Sequence, residues 1–272
     1  MICFPNAKIN LGLRVVSKRP DGYHNLETVF YPIPLCDALE IVPSETGETT
    51  FSQTGIQVDG NPADNLVLKA FRLLKKDFDL PEIAVYLRKQ IPFGAGLGGG
   101  SADAAFMLKL LNDFAGLGLS VEELEKYAGQ IGADCPFFIR NRPVFAEGIG
   151  DIFTPVEISL KGYYLVLVKP DIPVSTKEAY AGITPKRSTN RLTDIIRLPL
   201  GEWKDLMVND FEESIFTRYP AIEAIKGALY ERGAIYASMS GSGSSVFGIF
   251  ENPQAFLSDG ISVVHDFWCI SL

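Results

Sequence analysis

Pro92-Phe93-Gly94-Ala95-Gly96-Leu97-Gly98-Gly99-Gly100-Ser101-Ala102-Asp103-Ala104-Ala105 decides how the rest of the chain is read. Five glycines fall within the seven residues from Gly94 to Gly100. The run follows a strand-like segment, Ile83–Leu87. It precedes a helical pattern that opens at Ser101 and carries Met107, Leu110 and Leu111 toward Gly116. Glycine admits positive φ and lets the backbone approach a ligand with no Cβ in the way. Several N–H groups can then converge on phosphate oxygens, and the following helix adds its unpaired amides and positive dipole end. A turn needs far fewer glycines, so Pro92–Ala102 reads as an anion-binding loop. Ser101 can cap the helix, or offer its hydroxyl to phosphate or to a metal.

The two commonest nucleotide loops do not fit. Gly94, Gly96 and Gly99 satisfy GxGxxG, but that fingerprint wants an acid about 20 residues on, at the end of a second parallel strand. Here that region is a helix opened by a Ser120/Glu123 capping-box pattern. A Walker loop needs Lys and then Ser or Thr after the last glycine, whereas Ser101-Ala102-Asp103 follows Gly100. A third class of phosphate loop is implied.

The 272 residues allow one large or two modest domains. With 33 acidic against 25 basic residues the net charge is -8, which argues against nucleic acid and anionic membrane as partners. Cys3, Cys36, Cys135 and Cys269 show no CxxC spacing, so neither a zinc site nor a disulfide framework is expected. With no signal-like start and no membrane-length apolar run, a cytoplasmic enzyme is expected.

Outward from the loop, the first third is β-rich. Ile9–Val16, Ala38–Val42 and Ile83–Leu87 read as strands, and a helix follows Asp64 as its cap. After Gly148-Ile149-Gly150 the pattern restarts. Tyr163–Val168 reads as a buried strand, Ser175 with Glu178 as a helix start, and Pro220–Gly233 as a helix. Strands Ala234–Met239, Val246–Phe250 and Ser262–Trp268 complete a compact α+β pattern. The expected division is 1–154, which carries the glycine loop, and 155–272.

Three further segments sharpen the class. They are Pro5-Asn6-Ala7-Lys8-Ile9-Asn10-Leu11-Gly12, Gly132-Ala133-Asp134-Cys135-Pro136-Phe137, and Ser240-Gly241-Ser242-Gly243-Ser244-Ser245. With the glycine loop, they make the chain resemble the GHMP kinase superfamily across nearly its whole length. Arg19-Pro20-Asp21-Gly22-Tyr23-His24, Asp64-Asn65-Leu66 and Val208-Asn209-Asp210-Phe211-Glu212 narrow the resemblance to the 4-diphosphocytidyl-2-C-methyl-D-erythritol kinase family. The resemblance implies two domains, the first like ribosomal protein S5 domain 2 and the second ferredoxin-like. It also implies ATP with Mg2+ and a cytidylated sugar-alcohol acceptor. The alternative is another GHMP kinase, of homoserine or mevalonate type.

It further implies roles for single residues. Lys8 and Asp134 become the catalytic pair, although alone they read as a surface charge and a helix-start residue. The nucleotide falls to Asn65 and to Pro92, Gly94, Ala95, Gly96, Leu97, Gly98, Gly99, Gly100, Ser101 and Ala102, with Ser101 the one candidate metal ligand. Tyr23, His24 and Phe30 offer two rings and an imidazole for a flat pyrimidine, and Tyr180 a second stacking face. Asn10 shares a strand face with Lys8 and is assigned to the sugar-alcohol hydroxyls. Gly241, Ser242 and Gly243 either surround the transferred group or brace the first loop. Lys89 lies along the nucleotide or in solvent. Cys135 is an inert packed thiol, and His265, in the last strand, is not catalytic.

Overall fold

Ten consecutive residues, Asn6 to Val15, are buried, including Lys8, Asn10 and Arg14. A strand covered on both faces loses its apolar alternation, which is why the sequence shows only its Ile9–Val16 portion. The computed structural model describes residues 1–57, 61, 64–186, 190–254 and 266–272. His265 and the first part of the expected Ser262–Trp268 strand lie outside them.

Among the described residues the strands are β1 (Ile2–Cys3), β2 (Asn6–Lys18), β3 (His24–Cys36), β4 (Ala38–Pro43), β5 (Thr50–Gly55), β6 (Ile83–Lys89), β7 (Val144–Glu147), β8 (Ile152–Pro155), β9 (Tyr164–Lys169), β10 (Tyr236–Met239), β11 (Val246–Phe250) and β12 (Asp266–Ser271). The helices are α1 (Leu66–Lys75), α2 (Gly99–Phe114), α3 (Val121–Ile131), α4 (Cys135–Arg140), α5 (Thr176–Ala181), α6 (Leu192–Ile195), α7 (Phe211–Arg218) and α8 (Pro220–Glu231). None of them is long and apolar enough to cross a membrane.

Two compact units interleave along the chain. The first comprises Met1–Lys8, Leu35–Phe93 and Gly98–Arg142. Its sheet has the order β1-β4-β6-β5, with β5 parallel to β6. Along β6 the residues Ile83, Val85, Leu87 and Lys89 are buried while Tyr86 and Arg88 are exposed, the period of two expected of a half-buried strand. Helix α1 is capped by Asn65, whose side chain accepts from the Val67 N–H, and not by Asp64. Helix α2 opens at Gly99 rather than Ser101, because Gly98 with φ 71° is its cap. Ser101 therefore sits in the first turn. Ser120 and Glu123 form both halves of the expected capping box on α3.

The second unit comprises Ile9–Pro34, Gly94–Leu97 and Pro143–Leu272. It holds most of the sheet β2-β3-β7-β8 and all of the antiparallel sheet β10-β11-β9-β12. Leu13, Val15, Val166, Val168, Phe211, Ile215, Ile222, Leu229 and Phe250 share one core. Strand β3 was not legible as thirteen continuous residues because Pro32 and Pro34 interrupt it, and proline argues against a strand interior.

Asn209, 3% exposed, fastens the start of α7 to the end of β10. Its Nδ2 donates to the carbonyls of Met239 and Gly241 at 2.8 and 2.9 Å, and its Oδ1 accepts from the Phe211 N–H at 3.0 Å. Truncation strands three buried polar groups. Asn209→Ala is expected to cost ~2–4 kcal/mol, read from urea denaturation. A loss below ~1 kcal/mol would mean that water replaces the amide.

Candidate active site

The glycine loop presents backbone, not side chains. Gly94, Gly96 and Gly98 have φ of 62°, 73° and 71°, values that penalise any Cβ. Ala95, Leu97 and Ala102 turn their side chains into the interior. A Cβ on Gly96 would lie 1.9 Å from the Ser240 carbonyl oxygen. The Ser240 hydroxyl donates to the Gly96 carbonyl at 2.9 Å. The second small-residue loop thus braces the first, one of the two roles expected of it. Gly241 stands against Gly96 and the Asn10 side chain, since a Cβ there would meet them at 3.3 and 3.4 Å. The Asn10 amide donates to Thr28 Oγ1 at 2.9 Å. Ser242 reaches the Thr176 hydroxyl at 3.4 Å.

Lys8 and Asp134 come together. Lys8 Nζ lies 3.9 Å from Asp134 Oδ2, with the lysine side chain 5% and the aspartate 37% exposed. Lys8 is therefore not a solvated charge. Burial lowers its pKa, and the Asp134 carboxylate opposes that shift. Asp134 occupies the cap position of α4 yet makes no capping hydrogen bond, which leaves its carboxylate for other work. A Cβ on Gly98 would lie 2.9 Å from the Phe138 ring and 3.3 Å from Lys8 Cε, so the start of α2 fits closely over Phe138 and Lys8. Cys135 is buried and its thiol is pushed up to about 11 by burial, as an inert thiol should be.

Lys89 is not in solvent, one of its two expected places. It is 4% exposed and ion-paired with Asp37 and, at 2.7 Å, with Asp103. Asp37 also accepts the N–H groups of Gln90 and Ile91 at 2.5 and 2.9 Å. Burial first, and then the neighbouring Asp37 charge against the opposing Lys89, hold the Asp103 carboxyl up at about 7. The signal for this burial is in the strand period, which puts Lys89 in line with Ile83, Val85 and Leu87. Asp103 likewise falls among Ala102, Ala104 and Ala105 on a buried stretch of α2.

The aromatic candidates divide. His24 stacks on Tyr180 with ring centroids 4.9 Å apart and an 18° interplanar angle. Tyr180 in turn meets Phe211 edge-on at 4.9 Å. Tyr23 is 62% exposed, on a turn tied by Asp21, which binds Arg19 and accepts the Tyr23 N–H at 3.0 Å. Phe30 is corrected: it is 3% exposed with its ring against Phe153, so it packs in the core and offers no open stacking face. The Asn65 side chain is engaged as the α1 cap and toward Gln53. Among the described residues no group of three or more His, Cys, Asp or Glu is placed to hold a metal.

Residues 65–142 match the family described as GHMP kinases N terminal domain, and residues 192–257 that described as GHMP kinases C terminal. The 4-diphosphocytidyl-2-C-methyl-D-erythritol kinase of Parabacteroides distasonis is 66% identical over 256 residues, 94% of each chain. The chain belongs to the 4-diphosphocytidyl-2-C-methyl-D-erythritol kinase family. A Bacteroides fragilis kinase of this family is 62% identical over 252 residues, 92% of each chain. A solved 4-(cytidine 5'-diphospho)-2C-methyl-D-erythritol kinase superposes with a TM-score of 0.85 at 29% identity, covering 99% of this chain and 98% of that one. The mevalonate kinase of Methanococcus jannaschii, at 14% identity and a TM-score of 0.73 over 100% and 98% of the two chains, shares the fold. The α+β GHMP kinase architecture expected from the motifs is thus the one observed.

In this member of the kinase family one ammonium faces two buried carboxylates, and that has a measurable consequence. The pKa of Asp103 is raised in the folded state. The stability linked to it is full below the ordinary carboxylate range and is lost as pH rises from near 4 through about 7. Asp103→Asn leaves a one-to-one Lys89–Asp37 pair and removes that loss. Its melting temperature should exceed the parent's at pH 8, with the gap closing by pH 5. An equal gap at both pH values would show that Asp103 does not titrate in this range.

Proposed function

We propose that the chain transfers the γ-phosphoryl group of ATP to the 2-hydroxyl of 4-diphosphocytidyl-2-C-methyl-D-erythritol, giving the 2-phosphate and ADP. The observation that carries this reading is the Lys8–Asp134 pair, 3.9 Å apart, with Lys8 close against the Gly98 cap of the glycine loop. The loop amides and the N-terminus of α2 hold the phosphates. As the acceptor oxygen bonds to the γ-phosphorus and the bond to the β–γ bridging oxygen breaks, the hydroxyl proton passes to Asp134. Lys8 pairs with that carboxylate and balances charge developing on the acceptor oxygen. A loose transition state asks little of a base, so positioning of the hydroxyl by Asp134 contributes alongside proton transfer.

Magnesium fits as an ion carried by the nucleotide, since Mg2+ commonly takes one or two protein oxygens and the rest from phosphate and water. Ser101 and Asp134 would be the protein oxygens to hold it, and the ion would neutralise phosphate charge. Tyr23, His24 and Tyr180 offer the flat surfaces for cytosine. The relatives at 66% and 62% identity favour this acceptor over homoserine or mevalonate.

Asp134→Asn should bind both substrates and lose ~10²–10⁴-fold in turnover. Near-parental turnover would remove the base. With the parent, the cytidylated compound should be phosphorylated and methylerythritol 4-phosphate scarcely, because binding energy from a remote group orients the reacting end. His24→Ala should narrow that difference by weakening the cytidylated substrate alone. Equal use of the two acceptors by the parent would refute the cytidine subsite and leave only the kinase class.

A further inference from the structure

The buried ions Asp37, Lys89 and Asp103 have no part in the proposed chemistry, yet they sit at the two ends of the glycine loop. Asp37 sits at the β3–β4 corner, 0% exposed. One of its oxygens accepts the N–H groups of Gln90 and Ile91, and the other meets Lys89. Gln90 and Ile91 are the last two residues before Pro92, so Asp37 fixes the entry to the loop. Lys89 Nζ then reaches Asp103 Oδ2 at 2.7 Å, in the fifth residue of α2, and so holds the exit. The same ammonium would lie 3.4 Å from a Cβ on Gly99, where the Ile91 side chain would also stand at 2.8 Å. Both ends of the loop are therefore tied to one buried ion within the first unit.

The economy of the core argues against a purely stabilising part. A buried 2:1 set of carboxylates and ammonium is poor stabilisation, and Asp103 Oδ1 is buried without a hydrogen-bond partner. Apolar side chains of similar size would fill this space at lower cost. What they could not do is fix three chain segments by directed bonds around a glycine-rich loop.

We propose that Asp37, Lys89 and Asp103 are positioning residues for the phosphate loop, holding its entry and exit at the spacing that ATP requires. The inference rests on the reading of Pro92–Ala102 as the ATP loop. Exchanging the charge-assisted Lys89–Asp103 bond for a weaker neutral one, as Asp103→Asn does, loosens the exit of the loop, weakens ATP binding and leaves the acceptor subsite untouched.

The test compares Asp103→Asn, Asp37→Asn and Gly98→Ala with the parent. Each is measured for the KM of ATP, the KM of the cytidylated acceptor, kcat, melting temperature and hydrogen exchange of the loop amides. Asp103→Asn should raise the KM of ATP about tenfold or more and speed exchange at Gly94–Gly100. Its acceptor KM should be unchanged and its melting temperature undiminished. Asp37→Asn, acting on the entry side, should move the same ATP constant whatever it does to stability. A merely structural part would lower the melting temperature and leave the ATP constant alone. If both carboxylate variants bind ATP as the parent does while Gly98→Ala does not, the triad is not a positioning device. If Gly98→Ala also binds ATP normally, the loop is not the ATP site and the reading beneath the inference fails as well.

Discussion

The close approach of backbone to backbone at Gly96 is the constraint on which most else depends. No side chain fits there, because the Ser240 carbonyl oxygen occupies the place of a Cβ. The contact is directed as well as tight, since the Ser240 hydroxyl bonds the Gly96 carbonyl. Asn209 holds the Ser240–Gly243 turn from behind by bonding the Met239 and Gly241 carbonyls. Glu212 adds to that support by accepting from the Met239 N–H at 2.8 Å and pairing with Lys226 at 2.6 Å. The β10 end, the α7 start and the glycine loop are thus linked by hydrogen bonds between groups that have lost contact with water, where an unpaired donor or acceptor is costly.

Within the first unit a different device serves the other end of the loop. Gly98 takes the left-handed conformation that caps α2 and leaves room for Phe138 and Lys8 beneath it. The helix then runs on small residues, Gly99 to Ala105, that let it lie deep in the fold. Lys8 gives up most of its hydration to reach this place, which is why its pKa falls. Its neighbour Asp134 keeps partial exposure. A buried cation beside an accessible carboxylate suits a site that must take a proton from a ligand while meeting phosphate charge.

Much of this was legible in the residues. The glycine loop was readable because five glycines at a helix start have few other physical uses, and the Ser120 capping box because its chemistry is local. Lys8 and Asp134 were legible only through their motifs. Nothing local distinguishes a buried lysine on a strand from an exposed one, and an aspartate before Cys-Pro looks like a cap. Phe30 was misread for the same reason, since partner Phe153 lies far along the chain. Lys89, Asp37 and Asp103 are separated by up to 66 positions, and no short pattern announces a triad assembled by tertiary packing. The strand period at Lys89 was the one available sign. Strand β3 was hidden by its prolines, and the cap of α1 fell one residue later than Asp64 because the amide of Asn65 takes the Val67 N–H.

The proposed function divides the labour between backbone amides for the nucleotide and the His24–Tyr180 pair with Tyr23 for the acceptor's base. Backbone amide NMR, following each residue while ligands are added in turn, tests it most directly. A magnesium complex of a non-hydrolysable ATP analogue should shift the amides of Gly94 to Ala102 and leave Tyr23, His24 and Tyr180 in place. The cytidylated acceptor should then shift those three. Nucleotide-induced shifts at Tyr23 and His24 with a silent glycine loop would contradict the account.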